Sequence, residues 1–306
     1  MSDGVLVLAG ATASGKTALA VELALRFDAE IVGADSRQIY RSMPIGTAMP
    51  SAEQLAVVSH HMVDFLDPCD RYSAARYVED AMAAVEEIRR RGKRVIIAGG
   101  TGFYIRSLLG RVELAPEYDE ALRGRLAAEA RSHPPEFLHA WLSVHDRERA
   151  AALDPADTYR VLRALEVALI CHPERRREAP KSKGRRNLVT AGVSALLVFL
   201  DLPLDVLDER IAARADRMLG RGFVEEAERV GAGAVAADAV GYPQALAFGR
   251  GWITERELRT LLVRATRRYA RRQRAWFRGE RETLWLQPNA VERAVRENLG
   301  WSPKAT

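Results

Sequence analysis

"LAGATASGKTALAVELA", residues 8–24, contains Gly10, four further residues and then Gly15-Lys16-Thr17. This spacing is typical of a phosphate-binding loop, in which glycines let backbone N–H groups converge on an anion. A helix that starts at the loop adds partial positive charge, and the lysine adds a full one. The pattern predicts a site for a diphosphate-like group but does not say which compound carries that group.

The residues around the loop have the pattern that such a loop requires. Residues 4–10 form a short apolar run that ends in glycine, and residues 16–27 have apolar positions at helical spacing. Two more buried strands are predicted at 30–35 and 93–102, with a strong helix at 73–92 between them. This alternation predicts an α/β fold, a P-loop NTPase-like parallel sheet with flanking helices.

From about residue 113 the pattern changes. Residues 118–170 look helical throughout and contain no strand candidate, whereas the basic segment 172–187, with Pro and Gly, is typical of a loop. A strand at 194–203 and a helix at 204–222 then resume the α/β pattern. The predicted domains are a P-loop α/β core in two parts, 1–112 and 188–306, and an inserted all-helical domain, 113–187.

The composition is that of a globular protein with a hydrophobic core. Of 306 residues, 48% are hydrophobic and 28% are charged. There is no run of about 18 apolar residues, which argues against a membrane span, and the N-terminus does not resemble a signal peptide. Cys69 and Cys171 lack metal-ligand spacing and are too few for a disulfide framework. These features favour a cytoplasmic protein that does not bind a membrane.

Basic residues are concentrated in two segments. Residues 174–186 carry seven Lys or Arg against two Glu, and residues 264–281 carry eight Arg against one Glu. The net charge of the whole chain is only +5, so the remainder is acidic. One explanation is a solvated helix face and an exposed loop. Because two such segments accompany a phosphate loop, we favour a docking surface for a nucleic acid.

The loop provides candidate ligands for a diphosphate and for a metal ion. Lys16 supplies a positive charge, and Thr17 is placed to bind Mg²⁺ held by the same phosphates. An NTP-hydrolysing site usually has a carboxylate at the end of a neighbouring strand, but "IIAGGTG" offers Thr101 instead. The predicted diphosphate-binding residues are Gly10, Ala11, Thr12, Ala13, Ser14, Gly15, Lys16 and Thr17.

Asp35 follows the second predicted strand and is the carboxylate best placed to reach the phosphate loop. Carboxyl ends of parallel strands lie along one edge of a sheet, which is where ligands bind. Three roles fit its position: organising a metal ion, acting as a general base, or capping a helix. The spacing favours none of the three.

Eight segments together resemble the tRNA dimethylallyltransferases, the isopentenyl transferases that modify tRNA. The resemblance covers roughly residues 5–285, and its most discriminating blocks are "ADS-x-Q-x-Y" and "R-x-Q-x-x-W-F". In chain order the segments are "GATASGKTALA", "EIVGADSRQIYRSMPIGTAMP", "HHMVDFLDP", "GGTGFYIRSLL", "DTYRVLRALEV", "ERIAARADRMLGRGFVEE", "AVGYPQAL" and "RRYARRQRAWF".

The resemblance implies a reaction in which dimethylallyl diphosphate donates its dimethylallyl group to N6 of adenosine at position 37 of tRNA. It implies that Asp35 is the base that accepts the proton of the adenine amine. Thr101 would donate a hydrogen bond to the diphosphate or its bridging oxygen, and Thr12 would face the adenosine or the allylic donor. The groups that would stabilise the departing diphosphate are Lys16, the loop amides, Thr17 with Mg²⁺, and Arg214.

The resemblance also implies contacts with tRNA. Ser36 and Gln38 would help to hold the adenosine, because a Gln amide can pair with an adenine edge. On the helix predicted at 258–278, arginines form one arc, whereas Tyr269, Trp276 and Phe277 lie opposite as core anchors. The predicted tRNA-binding residues are Asp35, Ser36, Arg37, Gln38, Thr101, Arg123, Tyr159, Arg160, Val161, Leu162, Arg163, Gly241, Tyr242, Gln244, Arg271 and Arg274.

Other functions use some of the same residues. A small-molecule kinase or ATPase would use the phosphate loop, and an isopentenyl transferase acting on free adenylate would need no platform for an anticodon stem-loop. A non-catalytic RNA-binding protein would leave Lys16, Asp35 and Thr101 without a purpose. We therefore predict a Mg²⁺-dependent tRNA dimethylallyltransferase that acts as a monomer on tRNA and dimethylallyl diphosphate.

Overall fold

The computed structural model describes residues 4–112, 114, 119–170 and 186–304. The chain divides into two compact units, one formed by Met1–Val112 with Arg186–Thr306 and the other by Glu113–Arg185. We call them the α/β unit and the helical unit. That the helical unit binds tRNA stays a prediction.

A sheet of parallel strands forms the centre of the α/β unit, which confirms the predicted fold class. In chain order the strands are β1 (Val5–Gly10), β2 (Ala29–Ala34), β3 (His60–His61), β4 (Arg94–Gly99), β5 (Ala195–Leu200) and β6 (Leu284–Leu286). Their order across the sheet is β3-β2-β4-β1-β5-β6. β3 and β6 are absent from the sequence prediction, because runs of two and three residues show no period.

Helices connect these strands and also form the helical unit. In chain order they are α1 (Lys16–Phe27), α2 (Pro44–Thr47), α3 (Ala52–Val57), α4 (Ala74–Arg90), α5 (Gly102–Leu108), α6 (Glu120–Ser132), α7 (Pro135–His145), α8 (Arg147–Ala151), α9 (Thr158–Ile170), α10 (Leu204–Gly220), α11 (Phe223–Val230), α12 (Tyr242–Gly249), α13 (Glu255–Arg278) and α14 (Pro288–Leu299), with a 3₁₀ turn at Val235–Asp238. In the part of the chain that the structure describes, none of them is long and apolar enough to cross a membrane.

The core of the α/β unit lies between the sheet and α1. Leu6 and Leu8 of β1 are 0% exposed and belong to the same apolar cluster as Leu23 and Phe27 of α1. Continuous burial along a strand is expected where helices cover both faces of a parallel sheet. Each such side chain contributes about 1.5–3 kcal/mol on burial, so the strand that leads into the phosphate loop is firmly held.

The helical unit has its own small core. Leu122 and Leu126 of α6 pack with Leu138 and Leu142 of α7 and with Leu165 of α9. Among residues 119–170 the structure has no strand, in agreement with the predicted helical pattern. Most of the predicted loop at 172–187, including most of the first basic segment, lies outside the described residues, as does Cys171.

The chain leaves the α/β unit and returns to it at neighbouring points. The backbone N–H of Leu188 donates to the carbonyl of Leu108, at the end of α5, over 3.0 Å. A Cβ added to Gly110 would lie only 2.7 Å from Oδ1 of Asn187, so the two segments are in close contact. The helical unit is therefore inserted between two residues that the α/β unit holds together.

Parallel strands bring the predicted chemistry to one edge of the sheet. β1 leads into the phosphate loop, β2 ends just before Asp35, and β4 ends just before Gly100 and Thr101. Because β4 lies between β1 and β2, the three loops are neighbours at the carboxyl edge. The fold thus places a base candidate beside an anion-binding loop.

Candidate active site

A cavity of about 360 Å³ opens at the carboxyl edge of the sheet, and all of its walls belong to the α/β unit. It brings together the predicted residues from Thr12 to Thr17, those from Asp35 to Gln38, and Arg214. Gly10, Ala11 and Thr101 are not on its wall. Helix α13 supplies Tyr269, which the sequence assigned to the core, together with Thr266, Arg272 and Gln273, for which the sequence predicted no role in the site.

The phosphate loop has the backbone geometry that its pattern predicts. Gly15 has a φ of 90°, and Ala13 has a φ of 65°, in the left-handed region that non-glycine residues seldom occupy. Nζ of Lys16 donates to the carbonyls of Gly10 (2.8 Å) and Ala11 (2.9 Å). Burial lowers the pKa of Lys16 to about 8, while the nearby Asp35 raises this pKa in part. Lys16 is therefore a half-buried cation whose ammonium group donates to two loop carbonyls.

The first three residues predicted to bind the diphosphate form hydrogen bonds within the chain. Gly10 and Ala11 are buried and lie off the cavity wall, and their carbonyls accept from Lys16. Thr12 lies on the wall, and its N–H donates to Oε1 of Gln273 over 2.8 Å. That these three residues bind the diphosphate stays a prediction.

Arg214 lies on the cavity wall and is not a solvated helix charge. Its Nη1 donates to Oγ1 of Thr12 (2.7 Å), and its Nη2 donates to the carbonyl of Gly46 (3.2 Å). Burial lowers the pKa of Arg214, whereas Asp35 acts in the opposite direction. Nε of Arg214 and Oγ of Ser14 are buried without a hydrogen-bond partner in the described structure. Unsatisfied polar atoms at a cavity indicate a polar ligand.

Asp35 is fixed by the turn that follows it. Its Oδ1 accepts from the backbone N–H groups of Arg37 (2.9 Å) and Gln38 (3.4 Å), so it caps a turn rather than a helix. Oγ1 of Thr101 accepts from the N–H of Ser36 (2.9 Å) and donates to Oγ of Ser36 (3.3 Å). Thr101 therefore holds the turn of Asp35, and its hydrogen bond to the diphosphate stays a prediction.

The predicted pairing of Gln38 with an adenine edge needs correction. Nε2 of Gln38 donates to the carbonyls of Thr47 (3.1 Å) and Ala48 (2.9 Å), so both amide hydrogens are used. Only Oε1 could still contact a base, and it can only accept a hydrogen bond. Arg37 is also committed, since its guanidinium forms two contacts with Asp238, at 2.7 and 3.1 Å.

Helix α13 contributes a cavity face that the sequence prediction missed. The sequence assigned Tyr269 to the core with Trp276 and Phe277, yet Tyr269 lines the cavity. Burial is the larger cause that raises the pKa of Tyr269, and the negative charge of Asp35 is the second. Phe277 is fully buried, as predicted. Thr266, Tyr269 and Gln273 have the spacing i, i+3, i+7 and lie on one helical face, a signal that was available in the sequence.

The segment Gly241–Gln244 belongs to the framework. Tyr242 is 0% exposed, and its hydroxyl donates to Oε1 of Glu226 over 2.7 Å. Gly241 has a φ of 100°, and an added Cβ would lie 2.7 Å from Leu262. Gln244 is half-buried, with an unpartnered Oε1. The structure therefore corrects the predicted tRNA contacts of Gly241 and Tyr242, because a buried residue cannot reach a polyanion at the surface.

The arginines of α13 that were predicted to contact tRNA differ in their exposure. Nη1 of Arg274 donates to Oδ1 of Asp201 (2.6 Å) and to the carbonyl of Leu202 (3.1 Å), and its side chain is 12% exposed. This engagement corrects the prediction that Arg274 contacts tRNA. Arg271 is exposed and stays available for a phosphate.

The residues of the helical unit that were predicted to contact tRNA are partly buried and partly exposed. Val161 is 0% exposed and lies in the core of the unit, which corrects its predicted tRNA contact, and Leu162 packs against that core. Nη1 of Arg163 pairs with Glu166 at 2.7 Å. Tyr159 is exposed, as is Arg160, which lies 3.4 Å from Asp157, while Arg123 is half-buried.

The cavity fits a metal ion that arrives with a diphosphate better than one held by the protein alone. Among the described residues there is no group of three or more His, Cys, Asp or Glu that could hold a metal. Thr17 on the cavity wall offers a hydroxyl oxygen. Mg²⁺ usually keeps several waters and takes few protein ligands where phosphates supply the others. One hydroxyl beside a phosphate cradle is compatible with that mode of binding.

Comparisons with known proteins agree with this geometry. The family model described as IPP transferase matches residues 38–280. The chain is 42% identical to a tRNA dimethylallyltransferase of Acidothermus cellulolyticus, over 97% of this chain and 94% of the relative. A homologue with the same description from Anaeromyxobacter dehalogenans is also 42% identical, over 92% and 94% of the two chains.

A solved structure extends the similarity to the whole fold. The crystal structure of the full-length tRNA isopentenylpyrophosphate transferase of Bacillus halodurans matches with a TM-score of 0.69 at 31% identity, over 97% of each chain. The sequence, the sheet and the cavity all lead to the same assignment. The chain therefore belongs to the IPP transferase family.

Proposed function

We propose that the protein transfers the dimethylallyl group of dimethylallyl diphosphate to N6 of adenosine 37 in tRNA, which yields N6-dimethylallyladenosine and diphosphate. One observation carries the proposal. The two half-buried cations Lys16 and Arg214, whose pKa values desolvation lowers, line the same cavity as the carboxylate of Asp35. A site that pairs an anion cradle with a base suits the displacement of diphosphate by a nucleophile that must lose a proton.

The chemistry follows from the charges that develop. The N6 lone pair forms a bond to the allylic carbon while the bond from that carbon to the diphosphate oxygen breaks, with both electrons leaving on oxygen. The amine then carries an extra proton, which Asp35 accepts. An exocyclic adenine amine is a weak nucleophile because its lone pair is delocalised, so removal of the proton during attack lowers the barrier.

The departing diphosphate needs positive charge around it. Lys16, Arg214 and the amides of the later part of the loop provide charge and hydrogen bonds, and each donor of this kind is worth about 2.7–4 kcal/mol. The unpartnered Oγ of Ser14 supplies one further polar atom. Thr17 with the diphosphate would hold Mg²⁺, which neutralises charge on the leaving group.

Recognition of tRNA requires surfaces beyond the cavity. A base beside the anticodon must leave its stack to reach Asp35, and this favours recognition by shape and phosphate contacts. Arg271, Tyr159 and Arg160 are exposed and suit that role. A tRNA substrate is consistent with work in the cytoplasm.

The proposal is tested by incubating the protein with labelled dimethylallyl diphosphate, Mg²⁺ and unmodified tRNA, and separately with AMP or with ATP alone. We expect label in tRNA that has adenosine at position 37 and none in tRNA with guanosine there. Label in AMP but not in tRNA would favour the adenylate isopentenyl transferase, and release of the γ-phosphate of ATP without alkylation would favour a kinase or ATPase.

A further inference from the structure

A single glutamine on α13 connects the two loops between which the reaction would take place. Oε1 of Gln273 accepts from the N–H of Thr12 in the phosphate loop (2.8 Å), and Nε2 donates to the carbonyl of Gly100 (2.9 Å). Gln273 is 6% exposed. The next residue after Gly100 is Thr101, whose hydroxyl holds the turn of Asp35 through Ser36. Gln273 therefore lies between the anion cradle and the base.

The loop after β4 is shaped to receive this helix. A Cβ added to Gly100 would lie 2.2 Å from Nε2 of Gln273, and a Cβ added to Gly102 would lie 2.2 Å from Cδ1 and Nε1 of Trp276. Gln273 and Trp276 are one helical turn apart, so their side chains share a face. Gly100 and Gly102 of "GGTG" and the Q-x-x-W of α13 thus form one interlocking contact.

The two hydrogen bonds require a side chain that can accept at one atom and donate from another. The group at position 273 must accept from one backbone N–H and donate to one backbone carbonyl at the same time. A carboxylate can accept but would face the carbonyl of Gly100 with a second oxygen, and a thioether can do neither. Among side chains of this length only Gln, or a protonated Glu, satisfies both partners.

We propose that Gln273 is a positioning residue for group transfer, which sets the separation between the diphosphate cradle and the turn of Asp35. It acts through Thr12 on one side and through Gly100 on the other, and it does not take part in the bond changes. This inference rests on the proposed transfer to tRNA. Loss of the Gln273 side chain displaces the leaving group relative to the base, and a displacement of about 1 Å can cost about 100-fold in rate.

The test uses single-turnover transfer to tRNA by the full chain with Gln273→Met and Gln273→Glu, together with equilibrium binding of each substrate and thermal melting. The control is Val263→Ala, which shortens a buried side chain of the same helix away from the cavity. We expect both variants at position 273 to lose about 10- to 100-fold in transfer rate while the Kd for tRNA stays within about twofold. The control should lower Tm without changing the rate by more than about twofold.

The Gln273→Glu variant supplies a signature that a general loss of stability cannot mimic. A buried carboxyl that faces a carbonyl has a raised pKa, and its protonated form can donate to Gly100 and accept from Thr12. Its rate relative to wild type should therefore recover as the pH falls from about 8 to about 6, whereas Gln273→Met should show a constant ratio. Gly100→Ala disturbs the same contact from the other side and should lose rate to a similar extent.

The possible outcomes separate this inference from the proposed function. If wild type does not modify tRNA, the proposed function fails. If wild type does so and the variants at 273 keep the rate of the Val263→Ala control at equal Tm, Gln273 has no positioning role. A rate ratio for Gln273→Glu that does not depend on pH would also overturn the inference.

Discussion

The phosphate loop and the segment Gly241–Gln244 were both predicted to contact a substrate, and the structure places them in opposite environments. Residues from Thr12 to Thr17 line an open cavity. Tyr242, in contrast, is 0% exposed and packs edge-on against Phe223. The same kind of sequence signal therefore indicates a ligand in one place and the framework in the other.

The difference lies in whether buried charge is satisfied within the chain. Lys16 and Arg214 are half-buried cations on the cavity wall, desolvation lowers the pKa of both, and Nε of Arg214 has no hydrogen-bond partner in the described part of the chain. The buried carboxylate of Glu226, in contrast, accepts from the N–H groups of Ile45 (2.8 Å) and Gly46 (2.7 Å) and from Tyr242. A buried donor without a partner beside a cavity indicates a ligand site, whereas a carboxylate whose two oxygens both accept hydrogen bonds indicates structure.

The largest effect is expected at Asp35. Asp35→Asn keeps an oxygen that can accept from Arg37 and Gln38 but removes the base. The single-turnover transfer rate should fall about 100- to 10,000-fold, while tRNA affinity by filter binding stays within about threefold. Asp35→Ala should lose at least as much. Near-normal turnover in either variant would show that Asp35 is not the base.

The next effect concerns the cation of the loop. Lys16 has a folded-state pKa of about 8, below its ordinary 10.5, so it loses its proton as the pH rises through about 8. The affinity of the free protein for inorganic pyrophosphate should therefore fall by about tenfold per pH unit above that value. Calorimetric titration between about pH 7 and 9 measures this loss. The control is Lys16→Met, in which only the titration of pyrophosphate itself and of other groups remains, and its affinity should depend less on pH. An identical dependence in both proteins would contradict the assignment.

A smaller effect tests the framework side of the comparison. Tyr242→Phe removes one of three hydrogen bonds to Glu226 and should lower the free energy of unfolding by about 1 kcal/mol, measured by urea denaturation. Its affinity for tRNA should equal that of wild type. A large loss of tRNA affinity at unchanged stability would show that Tyr242 contacts tRNA. The contrast between the phosphate loop and Gly241–Gln244 would then be wrong.

The smallest effect separates two neighbouring arginines of α13. Arg271→Ala should weaken tRNA binding by only a few fold and reduce the slope of log K against log salt by about one unit. Arg274→Ala should lower stability through the loss of its contacts with Asp201 and Leu202, and should leave that slope unchanged. If Arg274→Ala changes the slope and Arg271→Ala does not, the division of this surface is wrong.

The sequence predicted the fold well because the fold depends on composition and period. Buried strands read as continuous apolar runs, and the phosphate loop requires a strand before it and a helix after it. Residues 30–35 and 93–102 were predicted as strands, and the structure has β2 and β4 there. The short β3 and β6 follow from pairing with longer strands and not from local pattern, so they could not be predicted.

The site was predicted less completely because a residue type does not reveal its partner. Gln38 has the amide that an adenine edge needs, but the carbonyls of Thr47 and Ala48 occupy both of its hydrogens. Arg274 has the charge that a phosphate needs, but its guanidinium is already paired with Asp201. Such competition depends on tertiary contacts that are distant in sequence. Only the face of α13 that carries Gln273 could have been found from spacing alone.

The contact between Leu108 and Leu188 has a consequence for how this architecture can vary. Since the α/β unit joins these two residues itself, with a backbone hydrogen bond of 3.0 Å, the register of its sheet does not depend on what the chain does between them. The segment between them can therefore change in length, charge and exposed side chains, and with them in its choice of partner, while the anion cradle and the base keep their geometry.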